Sequence, residues 1–84
     1  MSKANYTQQK ITSNYTVIHD GFSCISFTNK GDSEVLLNGT YILSPGESIT
    51  FNEDKGIIIN NDFNVTFRED LNNEVIIIKC YYHD

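Results

Sequence analysis

The chain has 84 residues, of which 39% are hydrophobic and 20% charged, and a formal net charge of −5. That length suits one domain near the lower end of what folds alone, and the composition is that of a globular chain rather than a disordered one. The acidic balance argues against nucleic acid and anionic membrane as partners, since both select a basic surface, and no apolar run is long enough to span a bilayer.

Residues 1–9 are polar and show neither strand nor helix periodicity, which predicts a flexible N-terminal arm with Tyr6 as its anchor on a neighbouring subunit. Residues 10–84 then form the single domain. Lys10 to His19 is rich in β-branched and aromatic residues, Asp20-Gly21 offers a hairpin turn, and Phe22 to Asn29 reads as the returning strand. A two-residue hairpin would set Val17 against Cys24. It would place Tyr15, Val17, Phe22 and Cys24 on one face and Ile18, Ile25 and Phe27 on the other.

Lys30 to Ser33 is a polar loop. The stretch Glu34 to Phe51 holds two tight turns, Asn38-Gly39 and Pro45-Gly46. Asn-Gly suits a type I′ turn, where both central residues need positive φ. Pro45 presets φ for the first corner of a type II turn, and Gly46 accepts the positive φ of the second. With Asn38-Gly39 as a two-residue tip, Leu36 lies opposite Tyr41 and Val35 opposite Ile42. Leu36, Tyr41 and Leu43 then share one face, and Val35, Leu37 and Ile42 the other. Two apolar faces on one hairpin compete for a single core, so the losing set marks an interface, unless bulges shift the register and hide both sets.

Ser48 to Asn52 alternates, with Ile49 and Phe51 on one side. Glu53 to Gly56 is a charged turn. Ile57 to Ile59 is fully apolar, as expected of a strand covered on both faces. Phe63, Val65 and Phe67 alternate with polar residues, the pattern of a half-buried strand. A polar loop at Glu69 to Asn73, with room for one helical turn, leads to Val75 to Ile78, a continuous apolar run expected to be central in a sheet. The sum is about eight short strands with turns at regular intervals, the signature of an all-β protein. The predicted fold is a small antiparallel β-sandwich, jelly-roll-like in form.

Candidate chemistry is sparse. His19 and His83 each adjoin an aspartate, Asp20 and Asp84, but at a turn and at the chain end, so both read as ordinary exposed histidines. The loops at Asn52–Asp54 and Asn60–Asp62 lack the spacing of a Ca²⁺ loop and use residues that turns favour for local reasons. Cys24 and Cys80, the only cysteines, match no metal spacing and sit in apolar strand contexts, which predicts reduced thiols. A disulfide would need their strands to be neighbours, with Cα atoms about 5.5 Å apart. Four Asn-x-Thr triplets begin at Asn5, Asn14, Asn38 and Asn64. With no secretory signal in MSKANYTQQK, they read as chance matches to the glycosylation pattern, and Asn38 is explained by its turn. No nucleophile elbow, P-loop or dinucleotide fingerprint occurs, so the expectation is a protein that is not an enzyme and needs no cofactor. Leu43-Ser44-Pro45-Gly46-Glu47 is similar to the Pro-Gly turn of cupin barrels, without the histidine and glutamate ligands that accompany it in those enzymes.

One wider resemblance remains. Phe27-Thr28-Asn29-x-Gly31, then Val35-x-x-Asn38-Gly39, then Ile42-Leu43-x-Pro45-Gly46-Glu47-x-Ile49 resembles small β-sandwich proteins of tailed bacteriophage virions, in its Asn-x-Gly loop, Asn-Gly hairpin and Leu-x-Pro-Gly-Glu turn. The Ile- and Asn-rich composition is similar to that of phages with AT-rich genomes, including crAss-like phages. The resemblance implies a structural protein of the virion, of head-decoration, auxiliary-capsid or fibre-associated type. Such a protein is made in the host cytoplasm and binds capsid or other virion subunits or its own copies. The candidate interface is Tyr6, Tyr15, Leu36, Tyr41, Leu43, Tyr81 and Tyr82. The alternative is a carbohydrate- or receptor-binding β-sandwich, with Tyr15, Tyr41, Tyr81 and Tyr82 as stacking faces.

Overall fold

The computed structural model describes residues 3–54 and 57–83 and holds eight strands: β1 Lys3–Ile11, β2 Tyr15–Val17, β3 Cys24–Asn29, β4 Val35–Leu37, β5 Tyr41–Leu43, β6 Ser48–Asn52, β7 Phe63–Phe67 and β8 Val75–His83. They form two four-stranded antiparallel sheets, in the orders β1-β8-β3-β6 and β2-β7-β4-β5. The pairs β1·β8, β2·β7, β3·β6 and β4·β5 are those of one long hairpin, from the chain ends to the β4–β5 tip, rolled so that its halves stack. This is the jelly-roll order. The strand at Val75 is central, between β1 and β3.

The core lies between the sheets. Ile25, Phe27, Val75 and Ile77 come from one sheet, Val17, Val35, Leu37, Leu43, Phe63 and Val65 from the other, all buried. Four phenylalanines knit the layers: Phe63 lies 6.3 Å from Phe22, 5.4 Å from Phe27 and 5.1 Å from Phe51 between ring centroids. Tilted rings at these distances add to the burial term. Ile49, Phe51 and Phe67 pack half-buried at its margin, in keeping with the alternation of their strands.

The two tight turns are built as their sequences require. Asn38 and Gly39 have φ of 54° and 73°, and Thr40 N donates to Leu37 O at 3.3 Å. Gly46 has φ of 87°, and Glu47 N donates to Ser44 O at 3.0 Å. The hairpin register differs from expectation. Leu36 faces Ile42 and Val35 faces Leu43, so Thr40 is an extra residue in the return strand. One added residue moves every side chain to the opposite face. Leu43 therefore joins Val35 and Leu37 in the core, and Ile42 turns outward with Leu36. The competition between two apolar faces is resolved largely in this way.

Three other expectations are corrected. Residues 3–9, read as part of a flexible arm, form most of β1 in register with β8, from Lys3 opposite His83 to Ile11 opposite Val75. Asp20-Gly21 is not a hairpin turn. Gly21 has the positive φ expected, 104°, but β2 pairs with β7 while β3 pairs with β8 and β6, so the link carries the chain from one sheet to the other. Ile25 and Phe27 thus share the core with Val17 and Phe22, and Ile18 is exposed. Ile57 to Ile59 is not a strand. Ile57 N turns back to Asp54 O, Ile59 N bonds Phe22 O, and Ile57 and Ile58 are exposed. The Glu69–Asn73 segment is a loop without a helical turn. Of the charged turn expected after Asn52, residues 55 and 56 lie outside the described residues.

Candidate functional site

The Asn-x-Gly loop and the Pro-Gly turn, two of the three turns in the pattern that resembles phage proteins, meet around one buried side chain. Asn29 is fully buried. Its Nδ2 donates to Ser33 O at 2.8 Å and Leu43 O at 3.0 Å, and its Oδ1 accepts from Gly31 N at 3.1 Å. Its backbone N donates to Glu47 O, and its carbonyl accepts from Gly46 N, both at 2.9 Å. Gly31 is held where a Cβ would overlap the Asn72 carbonyl oxygen and lie 2.7 Å from Glu74 N, so only glycine fits. Asn29, Gly31 and the Pro45-Gly46 turn are therefore one structural joint between sheet ends. Their pattern reports how the sandwich is closed, not a surface that acts on a ligand.

The surface offers two features. The first is the outer edge of β1. At nine residues it is the longest edge strand, against three in β2 and β5 and five in β6. It contains no proline or glycine, and Lys3 to Gln8 are exposed. An edge strand leaves a row of backbone N–H and C=O groups free to pair with another chain, and natural edges are commonly short, bulged, proline-bearing or lysine-bearing. β1 is long, unbulged and free of proline, and carries its two lysines, Lys3 and Lys10, only near its ends. On the solvent face beside it, Tyr6, Cys80, Cys24 and Asn52 stand in one cross-strand row. Tyr6 is exposed, Cys80 is buried and Cys24 half-buried, and both thiols are free. Burial, then the neighbouring Cys80, pushes the Cys24 thiol up, and Cys80 likewise raises the Tyr6 hydroxyl.

The second feature is a cleft of about 450 Å³ on the other sheet. Asn14, Tyr15 and Thr16 enter from β2 and its approach, Asn64, Val65 and Thr66 from β7, and Asn38 and Gly39 from the hairpin tip. The strands bring these together because Thr16 pairs with Asn64, with Thr66 two residues on, on the outer face of the sheet; Tyr15 pairs with the core residue Val65 on the other face. Asn38 N donates to Asn64 O at 2.9 Å, and Asn64 N donates to Asn38 Oδ1 at 2.8 Å. Phe67 N donates to Asn14 Oδ1 at 2.9 Å, and Thr16 Oγ1 donates to Asn64 Oδ1 at 2.9 Å. Sequence reasoning missed this cleft. Its one signal was the recurrence of Asn-x-Thr, which here brings three asparagines to one cleft.

The predicted interface residues do not form one patch. Tyr6 is 70% exposed on β1, Tyr15 lines the cleft, and Tyr41, 49% exposed, stands at the hairpin. Leu36 is half-buried on the outer face of its sheet, and Tyr82 is exposed on β8. Leu43 is a core residue and drops out of the interface, a consequence of the bulge at Thr40. Tyr81 packs half-buried against the core and donates its hydroxyl to Asp20 Oδ1 at 2.9 Å, and Lys79 Nζ reaches Asp20 Oδ2 at 3.2 Å. Asp20 thus ties the sheet-to-sheet link to β8. His19 is exposed, and its carboxylate partner is Asp62 rather than Asp20. Its backbone N and Nδ1 approach Asp62 Oδ1 at 3.0 and 2.7 Å, and the first of these bonds, then the second, holds the Asp62 carboxyl below its ordinary value. Asp84 and the His83 side chain lie outside the described residues. Among the described residues, no group of three or more His, Cys, Asp or Glu side chains is arranged to hold a metal.

No family model, curated protein or solved structure matches the chain.

Proposed function

We propose that this protein is a non-enzymatic structural component of a tailed-bacteriophage virion, which docks on capsid or other virion subunits, or on its own copies, by pairing β1 with a strand of the partner. The observation that carries this reading is the open nine-residue edge of β1 on a small jelly roll. Backbone pairing at an edge gives affinity without requiring an apolar patch, and alternate side chains give selectivity. A domain of this size also gains stability from association. The β1 side chains include Lys3 and Lys10 and no carboxylate, so the strand is a locally basic element on an acidic chain. It suits a partner edge that carries acidic groups. The context comes from the resemblance of the Asn-x-Gly, Asn-Gly and Pro-Gly pattern to phage virion proteins; here its Asn-x-Gly and Pro-Gly parts build the joint that closes the fold.

The test is a proline pair. Thr7 and Gln8 are consecutive, so one N–H faces β8 and the other faces outward. Proline at the outward position should leave the melting curve intact and abolish association, read by light scattering on gel filtration at micromolar concentration and by co-sedimentation with capsids. A wild-type chain that is monomeric and binds no capsid would refute the docking reading.

A further inference from the structure

We infer that the cleft between β2, β7 and the Asn38-Gly39 tip binds a neutral, polyhydroxylated ligand, an uncharged oligosaccharide by class. Two observations converge on that chemistry. First, no charged residue lines the cleft, although the chain as a whole carries a net charge of −5. Phosphates, carboxylates and cations find no counter-charge there, while a neutral ligand incurs no desolvation cost for a buried ion. Second, the lining is made of amides and hydroxyls that donate and accept, as sugar hydroxyls require. The Tyr15 side chain takes no part in this, since Tyr15 pairs with the core residue Val65 and so stands on the other face of the sheet from Thr16 and Asn64.

The amides are also set in orientation before any ligand arrives. A backbone N–H can be met only by the oxygen of an amide. Phe67 N fixes Asn14 with Oδ1 inward, and Asn64 N fixes Asn38 in the same way. Each Nδ2 group is therefore turned away from that bond as a donor. Fixing donors in advance lowers the ordering cost of binding. The cleft volume of about 450 Å³ lies within the usual range for small-ligand sites. Because the cleft belongs to the sheet that does not contain β1, ligand and docking partner can be held at once.

The experiment presents the full chain to an array of neutral oligosaccharides built from hexose and N-acetylhexosamine units. The tightest binder is then titrated in solution by NMR. The expected result is a saturable interaction whose shift changes centre on Asn14, Thr16, Asn38 and Thr66. Thr66→Val and Thr16→Val, nearly isosteric changes on the outer face of the sheet, should each weaken it several-fold, while Tyr15→Phe, on the opposite face, binds as wild type. The inference is overturned if no neutral oligosaccharide binds, if the shift changes lie elsewhere, or if Thr66→Val and Thr16→Val both bind as wild type. None of these outcomes bears on the β1 proline test, which reads a different sheet.

Discussion

Replacing Asn29 should be among the costliest single changes on this chain, and the structure gives the magnitude. Its side chain makes three hydrogen bonds inside a site with no exposure to water. Asn29→Ala removes two donors and one acceptor. Gly31 N retains a second acceptor, Glu74 O at 3.1 Å, so that donor is the least affected. The Ser33 and Leu43 carbonyls each lose a buried partner, at about 1–3 kcal/mol apiece. With the small cavity added, the sum is about 3–6 kcal/mol, a large share of the roughly 4–13 kcal/mol expected of a domain this size. Asn29→Asp makes a sharper test. It keeps the acceptor for Gly31 N but sets a carboxyl against two carbonyl oxygens. The protonated form can serve one of them and the ionised form neither, so the folded-state pKa is raised above the unfolded value. Stability is then greatest below the unfolded pKa, near 4, and falls as pH rises through the folded value. Urea melts at a series of pH values read both variants. If Asn29→Asp gains stability from pH 4 to 7 relative to wild type, or if Asn29→Ala melts within 1 kcal/mol of it, the joint is not organised as described.

Three further predictions follow from single contacts. Gly46→Val should cost about 1–3 kcal/mol through backbone strain alone, since a Cβ there meets nothing within 4 Å but φ is 87°; Gly46→Asn should recover part of the loss in the same thermal melts. The Asp62 carboxyl, held low by His19, contributes stability above the unfolded pKa near 3.9 that is lost as pH falls through the folded value; His19→Ala should return the Asp62 titration, followed by NMR, toward the ordinary carboxylate range. Cys24 and Cys80 are direct cross-strand partners, within the Cα span of a disulfide. A small-molecule disulfide should therefore oxidise them to an intramolecular bridge, slowly at neutral pH because the Cys24 thiol is held up. Thiol counting and the mass of the monomer read the product, and disulfide-linked dimers in its place would contradict the register.

The turns were legible because their chemistry is local. Asn38-Gly39 and Pro45-Gly46 demand positive φ whatever surrounds them, and the structure supplies it. Alternation in β6 and β7 was legible for a similar reason, since each has one face on the core. What the sequence hid were matters of partnership. β1 shows no apolar alternation because from Lys3 to Gln8 both of its faces are exposed, so a strand held by backbone bonds read as an arm. Asp20-Gly21 has the composition of a hairpin turn, but Val17 and Phe22 are both buried in the core on either side of a link between sheets, and burial decided the path. The bulge at Thr40 leaves no mark in composition, and it alone moved Leu43 inward. The cleft was hidden because its residues lie on three separate segments, and each asparagine had a sufficient local explanation.

The most direct test of the central claim is peptide mass spectrometry of purified particles produced by the genome that encodes this chain. A virion component leaves its peptides in the particles, at a copy number on the scale of a capsid or fibre subunit, and is lost from them when whichever of Thr7 and Gln8 has the outward-facing N–H is replaced by proline. Particles that lack the protein, or a genome that yields no particles, would contradict that claim.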